Sequence, residues 1–379
     1  MMLILWLLGG FIPEGPQAVG WNPALIYTER WTINLLTVEA GIFNNCLPYN
    51  ELMVDKIDET FKQKLLQSMP SDGFMAIGEF SGHILCVAYR NAGFTVKLRG
   101  SGRLHLAKDL LDLLLIGNEL NRTYEVHSEP ADNQANLYYD IGMGVSIPLE
   151  LGNKQLKVGI GFHIYRGLYC MEVKRFDFIG KTTENYIYGS SDISVRIGES
   201  GSGYGIDLGI TVKHPGSWEY GAAITEIGNL LWYRGEQREW TYELDSFALD
   251  MLDSLQGIWL TEYEVTEAEE FTTTLPTICR VHAKYDGGDW KLGTVLDYQL
   301  YKTAARSKSI EWIAFTIYEG WRWINLGVGM GYTYRGIAFI PTIRVESPHF
   351  HCSISLCSIN GIYPWAKGVA TKLEFTLTF

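Results

Sequence analysis

Residues 139–147 read "YDIGMGVSI" and residues 156–164 read "LKVGIGFHI". In the first, Tyr139, Ile141, Met143, Val145 and Ile147 alternate with Asp140, Gly142, Gly144 and Ser146. In the second, Leu156, Val158, Ile160, Phe162 and Ile164 alternate with Lys157, Gly159, Gly161 and His163. A period of two sends the two sets to opposite faces of a β-strand, so each segment has one apolar face and one face of small or charged residues. The pattern recurs at 94–100 ("FTVKLRG"), 204–213 ("YGIDLGITVK"), 322–334 ("RWINLGVGMGYTY") and 370–379 ("ATKLEFTLTF").

Length separates the two folds that such strands allow. The runs reach about ten residues or more, beyond the five or six usual in a soluble sheet and enough for a tilted bilayer crossing. The expected fold is all-β: a single closed antiparallel transmembrane β-barrel of about 14 strands (12–16), because roughly 300 non-helical residues divide into such crossings plus turns and loops. A charged residue facing hydrocarbon at mid-depth costs roughly 2–4 kcal/mol. This assigns Lys97, Arg99, Asp140, Lys157, His163, Asp207 and Lys213 to the lumen, and Val96, Ile141, Val158 and Leu208 to lipid.

Composition agrees with a barrel and excludes other classes. Among 379 residues, 40 Gly, 22 Tyr, 16 Phe and 12 Trp supply turns and strand-forming aromatics. The net charge of -12, with no basic cluster, leaves no surface for a nucleic-acid backbone. Mean hydropathy is -0.01 and no run of about 18 apolar residues occurs, which excludes helical membrane spans. Barrel strands, alternating lipid-facing with lumen-facing residues, average to that neutral value. Aromatic pairs gather where strands start or stop: Trp218 and Tyr220, Trp232 and Tyr233, Trp240 and Tyr242, Trp321 and Trp323, Tyr332 and Tyr334, Tyr363 and Trp365. In a membrane barrel these form interfacial girdles; in a sandwich they would be core.

Two segments carry helical periodicity. In "ELMVDKIDETFKQKLLQSM" (51–69), Met53, Ile57, Phe61, Leu65 and Met69 recur every four residues, and "LAKDLLDLLLIGN" (106–118) stops at Gly117 and Asn118. They read as short packing helices near 51–69 and 106–116, or as lids. The acidic stretch 252–276 reads as an extended loop.

Chemical motifs are missing. No GxSxG, HExxH, P-loop or Rossmann pattern occurs, and the Gly-x-Gly pairs are strand alternation. His349 and His351 would share a strand face but lack a third ligand nearby in sequence, and nothing brings Asp140, Asp207 and Glu374 together. The six cysteines show no CxxC and read as small apolar strand residues. Neither an enzyme nor a cofactor is expected.

The beginning, "MMLILWLLGGFIPEG", is apolar from Met1 to Ile12 with no basic residue before Arg30. Residues 1–12 read as a truncated signal-peptide remnant, the alternative being a buried first strand or helix turn. Residues 13–379 then form the barrel.

In "GPQAVGWNPALIY" (15–27), Trp21, Asn22, Pro23 and Ala24 resemble the "NPA" signature near the start of FadL-like and PorV-like outer-membrane barrels. The order that follows, a strand, an amphipathic helix, further strands, "KDLLDLLLIGN" and the "LKVGIGFHIYRG" hairpin, resembles an uncharacterised branch of PorV-like barrels over most of the chain. The last strand, with Leu373, Phe375, Leu377 and terminal Phe379, resembles the signal read by the barrel assembly machinery. The Gly-rich stretch usual before "NPA" is short here. The resemblance implies a bacterial outer membrane protein, with membrane lipid and the assembly machinery as partners. It further implies FadL-like transport or binding of a hydrophobic or amphipathic small molecule, or, alternatively, a PorV-like scaffold for a secreted protein as in type IX secretion. A soluble β-rich binding protein is the remaining alternative.

Overall fold

The computed structural model describes residues 12–128, 132–248, 262–301, 303 and 309–379. The expected signal remnant lies outside them except for Ile12, which is buried. Seventeen antiparallel strand segments follow in order: β1 (Thr28–Asn44), β2 (Phe74–Arg90), β3 (Ala92–Leu106), β4 (Thr123–Ser128), β5 (Gln134–Leu151), β6 (Lys154–Thr182), β7 (Tyr186–Lys213), β8 (Trp218–Ala248), β9 (Glu262–Glu267), β10 (Phe271–Thr274), β11 (Ile278–Asp286), β12 (Trp290–Gln299), β13 (Ile310–Tyr318), β14 (Ile324–Thr333), β15 (Gly336–Glu346), β16 (Phe350–Ile359) and β17 (Gly368–Thr378).

Some segments share one strand position. β4 and β5 lie end to end along the same edge of β6, and β9, β10 and β11 lie end to end along the same edge of β8. The wall is therefore a closed 14-strand barrel, sealed where β17 pairs with β1 from Thr32↔Thr378 to Phe43↔Gly368. Sealing is obligatory in a bilayer, where no water replaces a missing backbone partner.

Exposure alternates along the wall as the period of two requires. Met143, Ile160 and Leu208 are 46%, 51% and 46% exposed, whereas Asp140, His163 and Asp207 are at most 1% exposed. An exposed apolar belt around a buried polar interior is the inverse of a soluble protein, and it is the surface of an outer-membrane barrel. Short turns join strands at the end where β1 starts and β17 finishes, which is the periplasmic end by the usual asymmetry of loop lengths. An aromatic girdle marks that end: Trp31 stacks on Tyr89, Trp218 on Tyr220, and Trp290 meets Tyr318. Trp232 departs from the girdle reading. It is fully buried beside Phe271, and its indole N–H donates to Thr273 Oγ1 at 3.1 Å.

At the opposite end stand three short helices instead of two: α1 (Tyr49–Leu52), α2 (Glu59–Ser68) and α3 (Lys108–Leu115). The four-residue periodicity over 51–69 is interrupted because the Asp58 carboxylate accepts from Phe61 N at 2.8 Å and starts a new helix. Phe61, Leu65 and Met69 pack with Cys46 and Leu47, while Met53 and Ile57 stay exposed. Burial pushes the Cys46 thiol up to about 11, which makes it a poor nucleophile. Strands β6, β7 and β8 run 29, 28 and 31 residues and form a sheet extension beyond the rim. This extension corrects the acidic loop: part of it pairs with β8 as β9 and β10, because β8 is long enough to offer an edge there.

Phe375 faces outward next to the seam, between the buried Glu374 and Thr376. Phe375→Asp puts a charge on the lipid face, at less than the roughly 2–4 kcal/mol that Arg or Lys costs at mid-depth, and should lower the yield of heat-modifiable barrel in membrane fractions on a gel. An undiminished yield contradicts the outward assignment.

Candidate functional site

Residues 12–26 enter the barrel and fill it as a plug. Trp21, Asn22, Ala24 and Ile26 are fully buried, and the Asn22 side chain accepts from Ala24 N at 3.0 Å, closing the turn that Pro23 begins. The wall takes hold of the plug by its backbone carbonyls. Lys97 Nζ donates to Val19 O at 2.9 Å, Arg280 Nη1 to Trp21 O at 2.9 Å, and Ser146 Oγ to Ala24 O at 2.9 Å. Arg280 also lies over the Trp21 ring at 4.5 Å and makes a two-pronged ion pair with Asp297, at 2.8 and 2.6 Å.

Glycines on the lumen faces form the seat. A Cβ on Gly159 would stand 2.2 Å from Ala24 N, and one on Gly209 would stand 2.0 Å from Asn22 Oδ1. Strand alternation explains where these glycines point; close approach of the plug explains why they carry no side chain.

Five of the lumen candidates gather around the plug. His163 places Nδ1 2.7 Å from Asp140 Oδ1 and Nε2 2.8 Å from Asp207 Oδ2, so both ring nitrogens face carboxylates. Arg99 Nη1 lies 2.5 Å from Glu226 Oε1 and 3.4 Å from Asp140 Oδ2. Glu226 N donates to Asp207 Oδ1 at 2.7 Å, with Glu226 held at a φ of 58°. Desolvated charges persist only when paired in this way. Lys157 and Lys213 instead line a cavity of about 440 Å³ beneath the plug at the periplasmic end, together with Glu14, Gln17 and Glu374.

The other titratable residues separate. Glu374 does not join Asp140 and Asp207; it pairs with Lys372 at 3.3 Å and His351 at 2.5 Å. His349 sits in the turn before β16, so it shares no strand face with His351. No cluster of three or more metal-ligating side chains is found among the described residues. The cysteines are free thiols, and Cys357 lies on the opposite face of β16 from Cys352.

Among the described residues, the wall ladder beside β3 stops short of the end of the strand. The ladder between β3 and β5 ends at Arg103↔Gln134, and β4 beyond it takes its register from β6. Where β3 and β4 diverge there is a recess of about 520 Å³, lined by Leu104, Leu106, Val126, Phe176 and Ile193 and roofed by Ala107 and Leu110 at α3. Arg103, His105 and His127 also border it, His127 being paired with Asp177, and no carboxylate lines it among the described residues. The sheet face of Val126, Phe176 and Ile193 continues outward to a second cavity of about 450 Å³, bounded by Leu113, Tyr124, Phe178, Ile187 and Tyr242. In the other direction the recess shares Ile42, Gly78, Gly102 and Ala135 with a shallow trough on the wall.

Sequence reasoning missed Arg280, Glu226 and this recess. Arg280 alternates in "ICRVHAKYD" like its neighbours and could have been added to the lumen set. Glu226 sits at an irregularity between β7 and β8 that breaks the alternation.

Fold and interior together define a plugged outer-membrane barrel. The chain belongs to the Family of unknown function (DUF5723), whose model matches residues 23–199 and 184–339. No curated protein matches it. Among solved structures it is similar to the CymD monoaromatic hydrocarbon channel, with TM-score 0.55 and 9% identity over 99% of this chain and 97% of that one. The P. putida toluene transporter TodX gives 0.51 and 8% over 99% and 98%, and the Ralstonia pickettii toluene transporter TbuX 0.50 and 10% over 98% and 95%. At these identities the likeness is one of fold.

Gly209→Ala should unseat the plug, whereas Gly78→Ala, with nothing within 4 Å of its Cβ, should not. Hydrogen exchange over residues 18–26 reads the difference: faster in Gly209→Ala, unchanged in Gly78→Ala. Equal protection in both variants contradicts the seat.

Proposed function

We propose that the protein is a non-enzymatic, FadL-like outer-membrane conduit for a hydrophobic or amphipathic small molecule. The observation that carries this reading is the pair of apolar cavities along one sheet face, ending where the wall ladder parts beside a plugged lumen. Cavities of this size suit small ligands, and their lining is mostly aliphatic and aromatic with a few polar groups at the margin. A ligand captured on the extension moves under α3 to the recess, which lies on the outward face of the wall with Ile42 and Leu104, and reaches the bilayer without passing the plug. The similar folds of proteins described as toluene transporters and a monoaromatic hydrocarbon channel support an apolar cargo.

The implied partners are outer-membrane lipid and, during folding, the barrel assembly machinery. The PorV-like scaffold alternative gains no support from the similar structures, and a soluble binding protein is incompatible with the exposed apolar belt.

Ile193→Trp fills the recess and Ser191→Trp fills the outer cavity. Each should slow uptake of dansyl-undecanoic acid into proteoliposomes several-fold, with heat-modifiable folding retained. If the parent barrel gives no uptake above protein-free liposomes, or if both variants match the parent, the conduit reading fails.

A further inference from the structure

The outward face of β6 runs Leu156, Val158, Ile160, Phe162 and Ile164, and then changes to Arg166, which is exposed. The depth of that change follows from β8, the strand that carries Tyr220 of the periplasmic girdle. Tyr233 lies thirteen residues beyond Tyr220, one of them the extra residue at the irregularity beside Glu226. The remaining twelve steps, about 3.3 Å each at a tilt of about 40°, raise it about 30 Å, the thickness of a bilayer's hydrocarbon. Tyr233 therefore stands at the outer-leaflet interface, and Arg166 stands with it. Arg166 Nη1 donates to the Tyr233 hydroxyl at 2.6 Å, and its guanidinium lies 5.8 Å from the ring centroid. Tyr139, opposite Arg166 on β5, and Tyr204, opposite Ile164 on β7, continue the aromatic level.

Ser200 Oγ also donates to the Tyr233 oxygen, at 3.0 Å. The tyrosine O–H and four guanidinium N–H bonds are then left to bond an anion. Arg234, opposite Ser200 across the β7–β8 ladder and exposed, adds a second positive charge. Neither arginine meets a carboxylate among the described residues, and Glu199, next to Ser200 in the chain, pairs with neither. We propose that Arg166, oriented by Tyr233, binds the phosphate of an outer-leaflet lipid where the sheet extension leaves the membrane. An interfacial anchor needs only a charge or a ring that reaches the surface. Arg166 instead presents a planar fork, which matches two phosphate oxygens, and the Tyr233 hydroxyl holds that fork in one orientation at headgroup height. Strands β6, β7 and β8 do not end at the rim, so the bound headgroup fixes how deep they sit. The inference goes beyond the conduit reading and does not depend on it.

The test titrates the full-length barrel, in a non-ionic detergent, with bisphosphorylated lipid A and with the same lipid stripped of phosphate, counting bound lipid by native mass spectrometry. The parent should prefer the phosphorylated lipid about tenfold or more, as expected for charge-assisted hydrogen bonds. Arg166→Gln should abolish the preference, Arg166→Lys should lose most of it, and Tyr233→Phe should lower it several-fold, all with heat-modifiable folding retained. Arg322→Gln is the matched control, because Arg322 lies 5.2 Å over the Trp323 ring at the periplasmic end, and it should leave the preference unchanged. Inorganic phosphate at the concentration of the lipid should not displace it. The proposal is overturned by a parent without the preference, by Arg166→Gln or Arg166→Lys matching the parent, or by Arg322→Gln falling as far as Arg166→Gln. Displacement by equimolar inorganic phosphate also overturns it, since the site would then take a free anion and not a lipid.

Discussion

Every strand edge within a bilayer must find a partner, because hydrocarbon offers no hydrogen bonds to a bare peptide group. That constraint governs this molecule. It requires β17 to close on β1, and it makes any interruption of the ladder a feature needing its own explanation. The interruption between β3 and β4 has one: a carboxamide standing in for a peptide unit, a helix overhead and an apolar recess alongside. Closure at the seam and the Asn133 carboxamide at the end of β3 are two answers to the same requirement.

The interior obeys the companion rule that buried charge must be paired. Arg99 and His163 meet Asp140, Asp207 and Glu226 in one network, with Lys97 across the ladder from Asp140, and Arg280 meets Asp297 in another. Both cationic groups that grip the plug belong to or adjoin these networks and reach main-chain carbonyls, which every residue type supplies. The plug is therefore held by its shape and backbone, and the glycine seat selects the turn at Asn22–Pro23 rather than a particular charge.

Much of the fold was legible in the sequence because strand alternation is local: residues 139–147 and 156–164 fix two faces without reference to anything distant. The four-residue periodicity over 51–69 marks where α1 and α2 lie but not the break between them, which the cap at Asp58 sets. What was not legible depends on partners far away in the chain. Collinear segments such as β9, β10 and β11 look like separate short strands until β8 lines them up. Trp232 looks like a girdle residue until the glycines at 167, 198 and 201 reveal the space it occupies inside. The seat glycines read as simple alternation because the plug they receive lies more than a hundred residues earlier. Asn133 is one polar residue in a polar stretch, and only the course of β4 gives it a role.

The central claim is that cargo travels along the outward face of the wall and not past the plug. A Cβ on Gly93 would stand 3.1 Å from Val19 Cγ2 and meet only side chains of the plug, so Val19→Cys with Gly93→Cys offers a disulfide that locks the plug to the wall. Uptake of dansyl-undecanoic acid by the oxidised and reduced forms of this double variant is the most direct measurement. The account predicts equal uptake in both states. Uptake abolished by the lock and restored by reduction would show that the plug lies on the path.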